Sequence, residues 1–153
     1  MHIQIENSDE KQEIDYMSLM AETLKKIDCL VYQDDDTGSF LIIYKGDTFN
    51  IDLWPSYIGI WHLRWGSINV NDLKVPKLRR AINLSNFEFG PTVVLSEPDN
   101  DGKMYIHSRH EIVFHPVISD LPKYLEYNLN LFFDTKMNVH KKFRNLLEMD
   151  ENN

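Results

Sequence analysis

The chain has a single cysteine, Cys29, in 153 residues. That excludes an intramolecular disulfide, and it leaves no thiolate set for a structural zinc, which takes four ligands. The reading is a reducing compartment, the cytoplasm. Glycine is also scarce: the six glycines never assemble into a phosphate-binding loop, a dinucleotide fingerprint or a nucleophile elbow. No apolar run approaches the ~18 residues of a membrane span, and the opening MHIQIENSDEKQE is acidic and polar where a secretory leader is basic and then apolar. Neither membrane nor secretion is expected. Positive charge is in deficit, 16 Lys and Arg against 24 Asp and Glu for a net charge of −8. Nucleic-acid binding needs a net-positive face that releases counterions, so the balance weighs against it. Two local basic sets, Lys74, Lys77, Arg79 and Arg80, and Lys136, Lys141, Lys142 and Arg144, read as solvated helix faces.

What is present is an ordinary globular composition, 42% hydrophobic and 26% charged, without repeats or low-complexity segments. One domain over residues 9–149 follows from the length, with 1–8 and 150–153 as flexible ends. From Glu10, the apolar residues Ile14, Met17, Met20, Leu24 and Ile27 recur at steps of three and four, the stripe of an amphipathic helix capped by Ser8 or Asp9. Turn-type clusters at 34–39 (DDDTGS) and 45–47 (KGD) then bracket Phe40–Tyr44. Thr48–Leu53 alternates, with Phe49, Ile51 and Leu53 on one face. Ile58–Trp65 is a strongly aromatic strand, placing Trp61, Leu63 and Trp65 opposite Ile60, His62 and Arg64. A central helix from Val75 to Asn86, with Pro76 in its first turn and Asp72 as its cap, carries Val75, Leu78 and Ile82 inward. Asn83 and Asn86 close it as structural residues. Strands at Thr92–Ser96 and Met104–Phe114 follow, joined through Asp101-Gly102. A long last helix starts near Ser119 or Asp120, with a bend expected between Asp134 and Asn138. Its inner residues are Leu121, Leu125, Leu129, Phe132 or Phe133, Val139, Phe143 and Leu147.

Apparent metal motifs fail on spacing. His110 and His115 are five apart where ligands on one helical face need four, and the segment reads as strand. The Glu97–Gly102 loop opens like a calcium loop, but its twelfth position is Ser108, where a bidentate carboxylate is required. Asp34–Asp36 reads as a solvated turn, and Cys29 as a small buried thiol with no nucleophile signature around it. No catalytic residue, metal or cofactor is assigned. Trp54, Tyr57, Trp61 and Trp65 crowd twelve residues, more aromatic surface than a small sheet needs and of the kind that anchors interfaces.

The element order, the Ala81–Asn86 segment (AINLSN), the Asp101-Gly102 hairpin and Leu129–Phe133 (LNLFF) together resemble the bacterial YbjN-like family, whose fold is similar to the type III secretion chaperones. The resemblance implies an α+β architecture, α-β-β-β(-β)-α-β-β-α, with helices packed on a twisted antiparallel sheet. It implies no catalytic residues. Family members are loosely described as regulators, and chaperones of this fold dimerise and hold an extended client segment. The leading expectation is a non-enzymatic, homodimeric module that binds another protein through Trp54, Tyr57, Trp61, Lys77 and Arg80. The alternative is a small-molecule site or small enzyme built from His62, Arg64, His107, Arg109 and Glu111 on the exposed sheet face.

Overall fold

The structure, a computed structural model, describes residues 13–151. Three helices and six strands alternate as α1 (Tyr16–Lys25), β1 (Cys29–Asp34), β2 (Ser39–Tyr44), β3 (Asp47–Trp54), β4 (Tyr57–Asn69), α2 (Val75–Asn86), β5 (Thr92–Leu95), β6 (Lys103–Val113) and α3 (Leu121–Glu151). The expected α+β order is observed, with four strands between α1 and α2. The strands form one antiparallel sheet in the order β1-β2-β3-β4-β6-β5.

Alternation decides which side of the sheet is dry. Phe40 pairs with Ile51 and Ile42 with Phe49; Ile51 pairs with Ile60 and Phe49 with His62. All six are buried, so they define an inner face. The core beneath it joins them to Met20 and Leu24 of α1 and to Leu121, Leu125, Leu129 and Phe132 of α3. A second, smaller core joins Trp65 and Ile106 of the sheet to Leu78 and Ile82 of α2, Val93 of β5 and Val139 of α3. Each helix therefore packs on the inner face, and no described element covers the outer one.

Helix ends differ from the sequence reading where local chemistry overrides the apolar stripe. Ser8 and Asp9 lie outside the described residues; 13–15 are not helical, and Asp15 caps α1 by accepting from the Ser18 N–H at 3.0 Å. Lys74 occupies the cap position of α2, and Asp72 acts two residues earlier by accepting from the Lys74 N–H at 2.8 Å. The last helix runs unbroken from Leu121 to Glu151, straight through the 134–138 segment in its helical assignment. Asp150, expected in a free tail, pairs with Lys77 across α2 and α3. Near that end Leu146 is buried, while Leu147 is only partly so. Residues 1–12 and 152–153, which include most of the expected loose ends, are outside the described part.

The main correction concerns β4. Its register against β6 shifts between His62 and Gly66, and Arg64 has φ +49°, a left-handed conformation rare for a side chain of that size. The bulge inserts two extra residues, so that 63–65 of β4 stand opposite His107 alone; the alternation is broken there and resumes with Gly66 facing Ile106. Trp61 stays on the outer face, whereas Trp65 crosses to the inner one and donates its indole N–H to Ser108 Oγ at 2.9 Å. Trp61 and Trp65 thus do not share a face.

Candidate functional site

The outer face is built by the residues that alternate with the core. From β1 to β5 they include Leu30 and Tyr32, Leu41 and Ile43, Asn50 and Trp54, Tyr57 and Trp61, Arg109 and Glu111, and Thr92 and Val94. Leu30, Tyr32, Leu41, Tyr57 and Val113 are exposed. These exposed apolar side chains lie on both sides of the polar Asn50–Asp52 pair of β3, and exposed apolar surface on a sheet face is where partners bind.

Its centre is an ordered aromatic and arginine cluster. Trp54 and Tyr57, paired across the β3–β4 turn, stack with centroids 5.1 Å apart and planes 13° from parallel. Gly59 makes this possible. A Cβ there would sit 2.9 Å from the Trp54 ring, so glycine is the residue that lets the indole lie flat on the sheet. On the next strand the Arg109 guanidinium lies 5.4 Å from the Trp61 centroid and donates to Glu111 Oε1 at 2.5 Å. The Trp61 ring face and the Glu111 carboxylate hold the guanidinium in place, and its remaining donors suit a planar acceptor such as a carboxylate. Arg109 Nε is buried and has no partner among the described residues, so the donors open to a ligand are those of the two terminal nitrogens. A shallow recess of about 390 Å³, bordered by Trp61, Thr92, Val94, Arg109 and Glu111, lies beside it.

The bulge supplies the second half of the face. The Arg64 N–H donates to His107 Nδ1 at 3.1 Å, and its guanidinium lies 4.9 Å from the Tyr105 centroid. Because Nδ1 accepts, this tautomer of His107 carries its proton on Nε2. Burial, with the Arg64 charge adding to it, pushes the His107 pKa down and keeps the ring neutral.

His62 does not belong to this face. It is fully buried on the inner side, stacked on Phe49 at 4.5 Å, with Nε2 2.7 Å from Asp47 Oδ2. Lys136 of α3 donates to the same carboxylate oxygen at 3.0 Å. Burial pushes the His62 pKa below its ordinary value in spite of the carboxylate. For Asp47, desolvation works upward, but the hydrogen bonds from Lys136 and His62 outweigh it and hold the carboxyl below its usual range. The neutral ring donates from Nε2 and leaves Nδ1 as an unpartnered acceptor; a protonated ring would bury an orphan donor there, at greater cost. The trio ties β3, β4 and α3 together.

Lys77 and Arg80, the other expected partner contacts, are on α2 and therefore on the opposite side of the sheet from Trp54, Tyr57 and Trp61. Lys77 is engaged by Asp150, and Arg80 is exposed. Of the two terminal asparagines, Asn86 bridges to the next strand. Its amide donates to the Val93 carbonyl at 3.0 Å and accepts from the Val93 N–H at 2.8 Å. Val93 faces Ser108 of β6 through the register, and Asn86 satisfies its backbone groups as a neighbouring strand would. Asn83 is exposed and makes no side-chain hydrogen bond among the described residues.

Sequence reasoning passed over Phe87 and Phe89. They follow α2 directly and are each 91% exposed, while Glu88 between them is held to α3 by Asn138 at 2.7 Å and by Lys142 at 2.6 Å. The Phe-Glu-Phe-Gly-Pro alternation at 87–91 was the available signal. Among the described residues no group of three or more His, Cys, Asp or Glu is placed to hold a metal, and no helix is long and apolar enough to cross a membrane.

No family model and no curated protein sequence matches the chain. Among solved structures, it is similar to the crystal structure of YbjN, a proposed transcription regulator from E. coli, with 11% identity and a TM-score of 0.57 over 80% of this chain and 87% of that one. At that identity the likeness concerns the fold: the chain has a YbjN-like α+β fold.

Proposed function

We infer that the protein is a non-enzymatic binding module whose outer sheet face takes an extended segment of another protein. The observation that carries this reading is the Trp61–Arg109 pair in the middle of a sheet face that no described element covers, flanked by the stacked Trp54 and Tyr57. Trp, Tyr and Arg are the residues in which interface energy concentrates, and rings locked by Gly59 and by Arg109 lose little freedom on binding. The guanidinium selects for a carboxylate in the bound segment, and the neighbouring aromatic and aliphatic side chains select for apolar residues on either side of it. The regulator described for the similarly folded E. coli protein is a role such a module can fill without chemistry of its own.

The small-molecule alternative loses its centre once His62 is placed in the core. Arg64 with His107 and Arg109 with Glu111 form two contacts in a row along β6, with the Trp61 ring between them, where a catalytic site would gather its groups around a reacting atom.

A displayed library of random peptides tests the proposal. Enriched peptides should share an acidic residue between apolar ones, quench tryptophan fluorescence, and lose most of their affinity for Trp61→Ala and for Arg109→Gln. A library that yields no enrichment, or peptides indifferent to both substitutions, would refute it.

A further inference from the structure

Among the described residues, the three most exposed large apolar side chains are Leu73, at 95%, and Phe87 and Phe89, at 91% each. All three sit at the ends of α2. Leu73 comes two residues before Val75, Phe87 is the C-terminal cap, and Phe89 follows two residues on. Phe87 keeps a helical backbone, with φ −76° and ψ −15°, so Arg80, Leu84 and Phe87 follow one another at steps of four and three and share a face. The buried residues Val75, Leu78, Ala81, Ile82 and Ser85 occupy the other side of the helix. The Arg80 face therefore turns away from the sheet, and Arg80 and Leu84 are exposed on it.

Charge sets the same helix apart. In a chain of net charge −8, α2 (VPKLRRAINLSN) contains no acidic residue. Lys74, Arg79 and Arg80 are exposed and form no ion pair among the described residues. The carboxylates next to the helix are already engaged: Asp72 by the Lys74 N–H, Glu88 by Asn138 and Lys142, and Asp150 by Lys77. Solvated cations and single exposed apolar residues are each ordinary. Their coincidence on one helix points to a surface that is anionic outside and apolar just beneath, which is the interface of a bilayer.

We propose that α2 docks on an anionic phospholipid bilayer, with Leu73, Phe87 and Phe89 entering the boundary between headgroups and acyl chains and Lys74, Arg79 and Arg80 lying at the level of the phosphates. The helix spans about 18 Å at 1.5 Å per residue, so the apolar side chains at its two ends set it flat on the surface. Such contact needs no spanning helix. A nucleic-acid duplex offers phosphates without an apolar layer under them, and would leave Leu73, Phe87 and Phe89 in water. Because α2 packs on the inner side of the sheet, docking through its far face leaves Trp61 and Arg109 directed away from the lipid. The proposal goes beyond the peptide-binding role and stands without it.

Co-sedimentation of the full chain with vesicles tests this. The chain should be retained on phosphatidylcholine vesicles that contain phosphatidylglycerol, not on phosphatidylcholine alone, and retention should weaken as salt is raised. Each cation near such a surface is worth about fivefold in affinity, so Lys74→Gln/Arg80→Gln should bind roughly 25-fold more weakly. Phe87→Ser/Phe89→Ser should lose at least about tenfold, since charge alone remains. Lys25→Gln/Lys26→Gln, at exposed positions where α1 ends, removes the same charge elsewhere and should stay within about twofold of the native chain. All of these positions are exposed, and circular dichroism checks that the variants remain folded. No retention on phosphatidylglycerol vesicles, equal retention on neutral ones, indifference to the loss of both phenylalanines, or an equal loss in the Lys25 and Lys26 variant would overturn the proposal. Capture of duplex DNA without capture of vesicles would assign the cations to nucleic acid instead. Self-association that requires both phenylalanines, again without vesicle binding, would assign the rings to a second copy of the chain.

Discussion

Replacing Asn86 by Ala removes a side-chain amide that stands in for a missing strand. Two hydrogen bonds vanish, at 3.0 and 2.8 Å, and with them the partner of the Val93 N–H and carbonyl. Each bond contributes about 1 kcal/mol net, and leaving partly buried partners unsatisfied adds a further fraction of the ~1–3 kcal/mol desolvation cost. Alanine's better helix propensity returns about 0.5 kcal/mol. The expected loss is about 2 kcal/mol, a fall in Tm of roughly 4–8 °C for a chain of this size. Urea unfolding followed by circular dichroism measures it, and the slope against denaturant should not change. Asn83→Ala is the matched control on the same helix: an exposed position without a side-chain bond should stay within about 0.5 kcal/mol. If the two substitutions cost the same, or if Asn86→Ala costs less than about 0.5 kcal/mol, Asn86 is not the bridge from α2 to β5 that the geometry describes.

Three further outcomes are expected. Phe132→Ala empties a fully buried site against Phe49, His62 and His110 and should cost about 3–5 kcal/mol in the same urea assay; a loss below about 1 kcal/mol would mean the core can collapse around it. Acid should act in two stages. His62 titrates below its ordinary 6.5 in the folded chain, so its contribution is complete above that value and declines as pH falls below it, while the unfolded chain takes a proton that the folded one refuses. Asp47, held below its ordinary 3.8, contributes above that value and is lost only as pH falls through its lower folded pKa; stability rising as pH drops from 6.5 would contradict the assignment of His62 as neutral. Lys136→Met removes a cation that adds to burial in lowering the His62 pKa, so an NMR titration should find the imidazole shifted upward, and an unchanged or lowered value would mean that the Lys136 charge does not act on the ring.

Local pattern was legible and long-range placement was not. Val75–Asn86 was readable to the residue because Pro76, a clean apolar stripe and a β-breaking pair of asparagines all agree. Trp61 was assignable to one face by counting from Ile58, but Trp65 was not, since a bulge is a backbone event that the alternating letters of IGIWHLRW conceal. The count did place His62 with Ile60; taking Ile60 as core would have moved His62 there as well, away from the polar cluster where the sequence reading set it. Its meeting with Asp47 and Lys136 joins positions far apart in the chain, and no spacing rule announces such a contact. Arg109 and Glu111 were correctly put on one face, whereas the stacking of Arg109 on Trp61 depends on the β4–β6 register. Lys77 and Arg80 were grouped with the tryptophans for want of knowing which side of the sheet α2 would cover.

The unbroken α3 has a consequence for how the molecule comes apart. A chain with two separate cores could lose one and keep the other, but Leu125, Leu129 and Phe132 of this helix are fastened into the first core and Val139 into the second. About 46 Å of helix, at 1.5 Å per residue, acts as a shared spine. Loosening the rows under α2 strips α3 of its anchorage around Val139, and the strain is delivered directly to the rows under α1. Amide protons at both ends of the sheet should therefore exchange in step, as members of one cooperative block.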